Sequence, residues 1–352
     1  MSKNILFLMP DFNGGGAEGV FVKLANYFST RYEVHFLVLR KLGPNLINLN
    51  SNIKVTELNN NSSINTIFKI NKYITQNNID VALGTLAMAY ALSVAKIFGS
   101  RKCKYIARLG SIISSNLSNT NLFKRFILYF YQKTLNFSDY IITQSYAMDN
   151  DLKKYVKKES QVIYNPISSQ KIISLSDEIT KIKLDNNFFN IVSVGRLSYE
   201  KDYKTAILSI SKLKKIIKNV KYYILGDGNL RSGLIAYTNS LGLSNDIIFT
   251  GYLSNPYPII KNSNVLLLTS LYEGFSNVIL DSLALKVPVV ATDSPGGNKE
   301  IILNKVNGFL AEVGNSDDIV EKLMLIKNQK NFKIDISKFE INLIARQYEK
   351  YF

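Results

Sequence analysis

The stretch Glu273-Gly-Phe-Ser-Asn-Val-Ile-Leu-Asp281 follows an apolar run at 265–268, and Gly195-Arg-Leu-Ser-Tyr-Glu-Lys201 follows a similar run at 191–194. Each pattern predicts a strand, a turn and then the start of a helix. Because an open parallel sheet binds its ligands at the carboxyl ends of its strands, we expect both stretches to face one crevice. The first stretch supplies two carboxylates and the second supplies two cations. This set of groups suits a sugar that is joined to a diphosphate.

Strand-like and helix-like segments alternate along the whole chain of 352 residues. The predicted strands lie at 4–9, 33–39, 79–84, 104–107, 140–143, 190–194, 221–225, 247–250, 265–269 and 287–291. The predicted helices lie at 17–29, 64–77, 88–98, 122–133, 203–218, 229–241, 277–286 and 316–328. The alternation predicts an α/β protein with two doubly wound parallel sheets.

The domain boundaries follow from a change in composition between the two halves. The segment 168–187 is polar with few large apolar side chains, and we interpret it as an interdomain linker. The first domain is then 1–167 and the second is 188–337, close to the roughly 150 residues of a typical domain. The closing segment 338–352 is amphipathic.

Composition restricts the class of protein. The longest uncharged apolar run, Val81 to Ala95, is shorter than the roughly 18–20 residues that span a membrane. We expect neither a transmembrane helix nor a signal peptide. A single cysteine, Cys103, fits a reducing cytoplasm, and one histidine with one cysteine makes a zinc or haem site implausible.

The net positive charge is larger in the first half of the chain than in the second. Residues 1–165 hold 20 Lys and Arg against 9 Asp and Glu, whereas the remaining residues hold 23 against 18. The sequence has no signature of a nucleic-acid-binding module, so we expect no nucleic acid partner. The segment 122–133 combines aromatic residues with Lys124, Arg125 and Lys133. It is interpreted either as a core helix with one solvated edge or as an interfacial helix on an anionic lipid surface.

Several ordered motifs together resemble a known family. They are "GGAE" at 15–18, which Gly14 precedes, "GRLSYEKD" from 195, "GDGNL" from 226, "NPY" from 255 and "EGFSNVILDSLALKVPVVATD" from 273. The chain resembles the retaining glycosyltransferases of family 4, in the branch that builds bacterial surface polysaccharides and lipopolysaccharide. The resemblance implies a GT-B fold, with two Rossmann-like domains facing a cleft and the closing helix crossing back to the first domain.

The predicted catalytic residues are Arg196, Lys201 and Glu273. A guanidinium fork and an ammonium group neutralise a diphosphate and stabilise charge that grows as a sugar–phosphate bond breaks. The resemblance gives Arg196 and Lys201 that role and brings Glu273 to the transferred sugar. It places a second acid, which is Asp281 here rather than the usual glutamate, on the ribose hydroxyls. The shorter side chain predicts a looser grip on the ribose or a closer helix.

Further residues are predicted to bind the nucleotide sugar. Gly14-Gly-Gly16 follows the first strand, and glycines allow a backbone to approach a ligand closely. Under the resemblance this loop lies near the donor phosphate and the acceptor. Arg108 ends a strand of the first domain, and from that position we expect it to face the donor phosphate or the acceptor. The turns and strand ends predicted to line the nucleotide side comprise Gly226, Gly228, Tyr252, Gly274, Phe275, Ser276 and Asn277.

Three features are given other interpretations. Asp149-Asn-Asp151 resembles a metal-binding D-x-D, but it starts a predicted helix after Ser145, so helix capping explains it better. His35 lies on an alternating strand and is expected to be a structural histidine. The string 14–19 matches the dinucleotide pattern G-x-G-x-x-G, but Arg40-Lys41 follows the second strand where NAD binding needs an acid, so NAD is disfavoured.

The resemblance, taken with these observations, implies a metal-independent glycosyltransferase that needs no cofactor. The expected donor is a UDP-linked hexose or N-acetylhexosamine, and the expected acceptor is a saccharide on a lipid carrier. We expect a cytoplasmic protein bound peripherally to the inner face of the membrane. The alternatives are a GT-B nucleotide-sugar 2-epimerase, a catalytically weak sugar-nucleotide-binding or membrane-binding protein, and a Rossmann dehydrogenase.

Overall fold

The structure is a computed structural model that describes residues 3–118, 122–329 and 331–352. The side chains of 116–118, 122–125 and 127 lie outside the description. The chain forms two compact units: Met1–Pro166 together with Lys338–Phe352, here called unit one, and Ile167–Ser337, here called unit two.

Unit one is built on one parallel sheet whose strand order is β3-β2-β1-β4-β5-β6-β7. In the described residues its strands are β1 (Asn4–Met9), β2 (Glu33–Val38), β3 (Lys54–Glu57), β4 (Val81–Thr85), β5 (Lys104–Arg108), β6 (Tyr140–Thr143) and β7 (Ser160–Val162). Its helices are α1 (Gly16–Phe28), α2 (Ile67–Gln76), α3 (Ala87–Ala95), α4 (Ile113–Ser118), α5 (Leu122–Lys133), α6 (Tyr146–Leu152) and the closing helix α14 (Ile341–Glu349). Short 3-10 turns complete the unit or border it. They lie at Pro44–Asn48, Ile64–Thr66, Lys96–Phe98, Thr134–Phe137 and Ser337–Phe339.

The two faces of this sheet are covered by different helices. Helices α1 and α14 pack on one face, where Phe7 and Phe36 of the strands meet Phe21, Phe28 and Tyr348. Helices α2 and α3 cover the other face over β1 and β4, and the turn after α5 packs beside α3. Burial of both faces explains why these strands are continuous apolar runs rather than alternating ones.

Unit two repeats the same plan, with strand order β10-β9-β8-β11-β12-β13 and parallel pairing throughout. Among the residues described, its strands are β8 (Phe189–Val194), β9 (Val220–Leu225), β10 (Ile247–Gly251), β11 (Val265–Leu268), β12 (Val289–Thr292) and β13 (Gly308–Ala311). Its helices are α7 (Ser169–Ser176), α8 (Tyr203–Ile216), α9 (Arg231–Ser240), α10 (Tyr257–Lys261), α11 (Asn277–Ala284), α12 (Asn298–Ile301) and α13 (Ser316–Asn328), with a 3-10 turn at Tyr199–Lys201.

The strand order places the reversal of winding between β8 and β11 in unit two. Outward from β8 the chain winds through β9 and β10 on one side, and through β11, β12 and β13 on the other. A ligand of a doubly wound sheet binds outside the carboxyl ends of the strands at such a reversal. The stretches after β8 and β11 are 195–201 and 273–281, which carry the predicted cations and carboxylates.

The segment predicted as a linker, 168–187, is not a separate connection. It contains helix α7, which lies within unit two and packs against α10 and α11. The buried side chain of Ile172 anchors this helix. The chain instead passes from one unit to the other at Pro166–Ile167 and returns at Ser337–Lys338.

Candidate active site at the strand ends of unit two

Three turns interlock at the carboxyl edge of the sheet in unit two. Gly195 donates its amide to the carbonyl of Leu225 (2.9 Å), and Gly226 donates to the carbonyl of Gly251 (2.9 Å). Gly226 has φ +147°, and a Cβ at this position would lie 1.9 Å from the Gly195 carbonyl oxygen. Only glycine fits between these turns. The glycines of the predicted nucleotide side therefore hold the turn that carries Arg196 in its position.

Gly228 lies in the same interlocked region. A Cβ on Gly228 would lie 2.4 Å from the carbonyl oxygen of Leu197, the residue after Arg196. Leu197 in turn donates its amide to the Asp227 carbonyl at 2.9 Å. The side chains of Arg196 and Tyr252 are exposed at this edge. Both are thus accessible to a ligand.

Lys201 and Glu273 meet at this edge in an ion pair between Nζ and Oε1. Their side chains are 20% and 13% exposed, so the pair is largely shielded from water. Ser270 donates its hydroxyl to the same oxygen, Oε1, at 2.9 Å. Two donors on one oxygen fix the orientation of the carboxylate, because hydrogen bonds to an ionised group are stronger than neutral ones.

The backbone also fixes the position of Lys201. The hydroxyl of Thr269, at the end of β11, donates to the carbonyls of Lys201 (2.9 Å) and Asp202 (3.0 Å). Leu271 donates its amide to the carbonyl of Glu200 at 2.8 Å. Asp202 adopts a left-handed conformation with φ +43° and caps helix α8 by accepting from the Thr205 amide. The loop after β11 is thus tied directly to the turn after β8.

A loop that the sequence interpretation did not identify supports Glu273 from the other side. The amide of Glu273 donates to the Pro295 carbonyl (3.0 Å), and the Gly297 amide donates to the Gly274 carbonyl (3.0 Å). Gly296 has φ +138°, and a Cβ there would lie 1.6 Å from the Glu273 carbonyl oxygen. The "SPGG" string could have been noted as a turn, but its contact with Glu273 depends on the tertiary fold.

Asp281 lies in the second turn of α11, and the start of that helix carries the other predicted residues. Phe275 and Ser276 are buried, and Ser276 is the N-cap residue. The negative charge of Asp281, followed by burial, raises the pKa of the Tyr257 phenol. Tyr257 begins α10 and belongs to the "NPY" motif, but its position beside Asp281 was not predicted from the sequence. The structure therefore brings the predicted residues of unit two to one edge, with Ser270 and Tyr257 as additions.

The remaining predicted residues lie in unit one. Gly14, Gly15 and Gly16 lead into α1, and a Cβ on Gly15 would lie 2.3 Å from Oε2 of Glu18. The first turn of α1 thus carries a carboxylate that packs back onto the glycine loop.

Arg108 was predicted to contact the ligand, but in the structure its side chain is fully buried, with 0% exposed. Its Nε donates to the Tyr348 hydroxyl (3.2 Å), Nη1 to the Thr85 hydroxyl (3.4 Å) and Nη2 to Oδ1 of Asn165 (2.6 Å). Its guanidinium also lies over the ring of Phe21 at 5.6 Å. A strand-end arginine resembles a ligand residue in sequence, but helix α14 supplies the partner that buries this one.

We expect substitution of Arg108 by glutamine to lower the free energy of unfolding by about 2–4 kcal/mol, because buried acceptors lose their donors. Lys72→Gln, a change at an exposed lysine of α2, is the matched control and should change stability by less than about 0.5 kcal/mol. Urea unfolding of the full chain measures both values. Equal urea midpoints for the two variants would show that the hydrogen bonds of Arg108 do not stabilise the fold.

Two further sequence interpretations concern structural residues, and the structure confirms both. His35 is buried between Tyr73 (Nδ1 to hydroxyl, 2.9 Å) and Glu33 (Nε2 to Oε1, 3.2 Å), and burial lowers its pKa. Ser145 caps helix α6 by accepting from the Met148 amide at 3.1 Å.

The acids of the D-x-D string have partners within unit one. Asp149 accepts from Ser160 and pairs with Lys153 at 2.7 Å, while Asp151 accepts from the Ser114 amide at 2.9 Å. These contacts are those of acids that stabilise helix ends and turns.

Comparison with known proteins agrees with this architecture. A family model described as "Glycosyltransferase Family 4" matches residues 14–171, and one described as "Glycosyl transferases group 1" matches residues 176–341. Together the two matches span both units. The chain belongs to the family 4 glycosyltransferases of the GT-B fold.

Two relatives from Campylobacter jejuni match over nearly their whole length. One is an N-acetylgalactosamine-N,N'-diacetylbacillosaminyl-diphospho-undecaprenol 4-alpha-N-acetylgalactosaminyltransferase, 28% identical over 96% of this chain and 96% of the relative. The other is a GalNAc-alpha-(1->4)-GalNAc-alpha-(1->3)-diNAcBac-PP-undecaprenol alpha-1,4-N-acetyl-D-galactosaminyltransferase, 25% identical over 98% and 97%. Among solved structures, Anabaena Alr3699/HepE in complex with UDP superposes with a TM-score of 0.77 at 19% identity, covering 99% of each chain. The protein is a glycosyltransferase.

Proposed function

We propose that this glycosyltransferase transfers a hexose or N-acetylhexosamine from a UDP-sugar to a saccharide carried on a lipid, with retention of anomeric configuration. The observation that carries the proposal is the convergence of Lys201 and Ser270 on one oxygen of Glu273, at the strand ends where Arg196 is exposed. The names of the full-length relatives support a lipid-linked acceptor. The UDP complex of a protein with the same fold supports a uridine nucleotide.

Lys201 and Arg196 are proposed to bind the diphosphate of the donor. When the bond between the sugar C1 and the phosphate oxygen breaks, the electron pair and a growing negative charge remain on the diphosphate. Fixed cations at that point stabilise the transition state more than the ground state. Lys201 exchanges its contact with Glu273 for the phosphate or bridges both groups, since an ammonium group has three donors.

Glu273 is proposed to orient the transferred sugar. Its Oε1 is held by Lys201 and Ser270, and we assign Oε2 as the acceptor for a sugar hydroxyl. Gly274 to Asn277 at the start of α11 present backbone amides to phosphate or sugar oxygens. Asp281 accepts from the ribose hydroxyls, with Tyr257 as its neighbour.

The acceptor hydroxyl is proposed to attack C1 from the face that the diphosphate leaves. Its proton passes to the departing phosphate oxygen, so no separate protein base is required and the charges balance. We propose that this step uses neither a metal ion nor a cofactor. The acceptor's lipid carrier would place the reaction at the inner face of the cytoplasmic membrane.

The experiment that tests this proposal is the transfer reaction itself. Purified protein is incubated with α-linked UDP-hexoses and UDP-N-acetylhexosamines together with undecaprenyl-diphosphate-linked saccharides, and proton NMR determines the anomeric coupling of the product. An α-linked product is the expected result. A β-linked product would contradict retention, and release of an epimerised free sugar without transfer would indicate a 2-epimerase.

A further inference from the structure

One part of unit one carries almost no negative charge. Between residues 58 and 138 the sequence has ten Lys and Arg and a single acid, Asp80. This segment includes α2, α3, α5 and the turns that flank them. The helices and turns of this segment lie over one face of the sheet of unit one. Lys96 pairs with Asp139 just beyond the segment (2.5 Å), and Arg108 is buried. The exposed cations of the segment include Lys69, Lys72, Arg101 and Lys102.

The same segment exposes large apolar side chains in pairs. Phe68 of α2 and Phe98 after α3 are 76% and 65% exposed, with ring centroids 6.1 Å apart. Phe126 and Phe130 of α5 are 63% and 55% exposed, with ring centroids 4.8 Å apart. Two aromatic pairs left in water are costly unless another surface covers them.

Contacts among the helices place both pairs in one layer. Helix α3 packs against α2 and against the turn that follows α5. Tyr131 of α5 stacks on Tyr90 of α3 at 4.3 Å, and its hydroxyl lies 3.5 Å from Oγ of Ser63. Ser63 precedes Ile64, which is also exposed. We give the name aromatic face to six of the exposed apolar side chains of this layer, which are the two phenylalanine pairs and two isoleucines: Ile64, Phe68, Ile97, Phe98, Phe126 and Phe130.

We propose that the aromatic face is a docking surface for an anionic lipid bilayer. This inference rests on the proposed function, because a lipid-linked acceptor has to be met at a membrane. Exposed apolar side chains such as Phe insert at the boundary between lipid headgroups and acyl chains, and neighbouring cations are attracted to anionic lipids. Lys69 and Lys72 of α2 are exposed beside the first pair, and Lys133 lies 4.9 Å from the centre of the Tyr129 ring.

The aromatic face enlarges the surface predicted from the sequence. The sequence indicated only the segment 122–133, whereas the structure adds α2 and the turn after α3. The side chains of Lys124 and Arg125, which contributed to that prediction, lie outside the described residues. No helix in the described ranges combines the length and the apolar composition that a bilayer crossing requires.

The chain contains no tryptophan, so a single introduced tryptophan reports on its own surroundings. Phe68→Trp and Phe130→Trp place a reporter in each aromatic pair. Ile47→Trp is the matched control, because Ile47 is 89% exposed in the same unit but lies outside the aromatic face. Emission is recorded during titration with phosphatidylglycerol vesicles and with phosphatidylcholine vesicles.

We expect both reporters on the aromatic face to shift to shorter wavelength with phosphatidylglycerol vesicles and to be quenched by brominated lipid, while the control does neither. The combined substitution Phe68→Ser and Phe130→Ser should weaken vesicle binding by about tenfold or more. Added salt should weaken binding of the unmodified chain, because surface attraction is screened.

Other outcomes would overturn the proposal. No shift at either reporter, or an equal shift at residue 47, would show that the aromatic face does not enter the bilayer. A shift that follows protein concentration without vesicles would identify a self-association surface, and a shift with RNA alone would identify a nucleic acid surface. Release of nucleotide from UDP-sugars, measured on the same samples, keeps failure of this proposal separate from failure of the proposed function.

Discussion

Replacing Lys201 by alanine is expected to lower the turnover of donor by about 10²–10³-fold. Lys201 supplies a fixed positive charge in a largely shielded site, where it contacts Oε1 of Glu273. Such a loss corresponds to about 3–4 kcal/mol in the activation free energy. The free energy of unfolding should change far less, by about 1 kcal/mol, which is typical of a single substitution.

Glu273→Ala should cause a loss of similar size, and the double variant should be little worse than either single variant, because the two residues act on the same bond. Lys212→Ala is the matched control, since it removes a lysine of an exposed ion pair with Asp317 in the same unit. Initial rates of donor turnover are measured at saturating donor for the two single variants, the double variant and the control. Turnover in Lys201→Ala equal to that of the control would contradict the assigned role.

Gly296→Ala is the second substitution with a large expected effect. The new Cβ would lie 1.6 Å from the Glu273 carbonyl oxygen, and the backbone has φ +138°. The loop has to move, and with it the carboxylate that contacts Lys201 and Ser270. A displacement of about 1 Å in a reacting group costs on the order of 10²-fold in rate.

Gly314→Ala is the control for backbone strain. Gly314 also has a positive φ, +72°, but no atom lies within 4 Å of a Cβ built there. This change should cost about 1 kcal/mol of stability and leave turnover unchanged. Turnover per folded molecule is measured for both variants, with the folded fraction taken from circular dichroism. If the Gly296 variant retains full turnover, the contact between this loop and Glu273 does not position the carboxylate.

The sequence predicted the repeated α/β plan because buried parallel strands are continuous apolar runs. The run at 265–268 is strand β11, and the predicted helices at 122–133 and 316–328 coincide with α5 and α13. Short polar edge strands such as β3 and β7 were missed, because Lys54–Glu57 and Ser160–Val162 carry little apolar pattern.

The sequence predicted the parts of the candidate site whose charged side chains indicate their chemistry. Lys201 and Glu273 are 72 positions apart, and their motifs suggested that they share an edge. The support from Ser270 and Gly296 depends on loop contacts that no local pattern encodes. Arg108 shows the opposite error, since its hydrogen-bond partner Tyr348 lies 240 positions away, where no local pattern could indicate it.

The most direct test of the central claim is release of nucleotide from a panel of UDP-, GDP- and ADP-sugars by the purified chain. Slow hydrolysis of the donor without acceptor should release one nucleotide, expected to be UDP, and both Lys201→Ala and Glu273→Ala should abolish this release while Lys212→Ala retains it. Hydrolysis that persists unchanged in the two site variants, or no binding of any sugar nucleotide, would contradict the assignment of the active site to the strand ends of unit two.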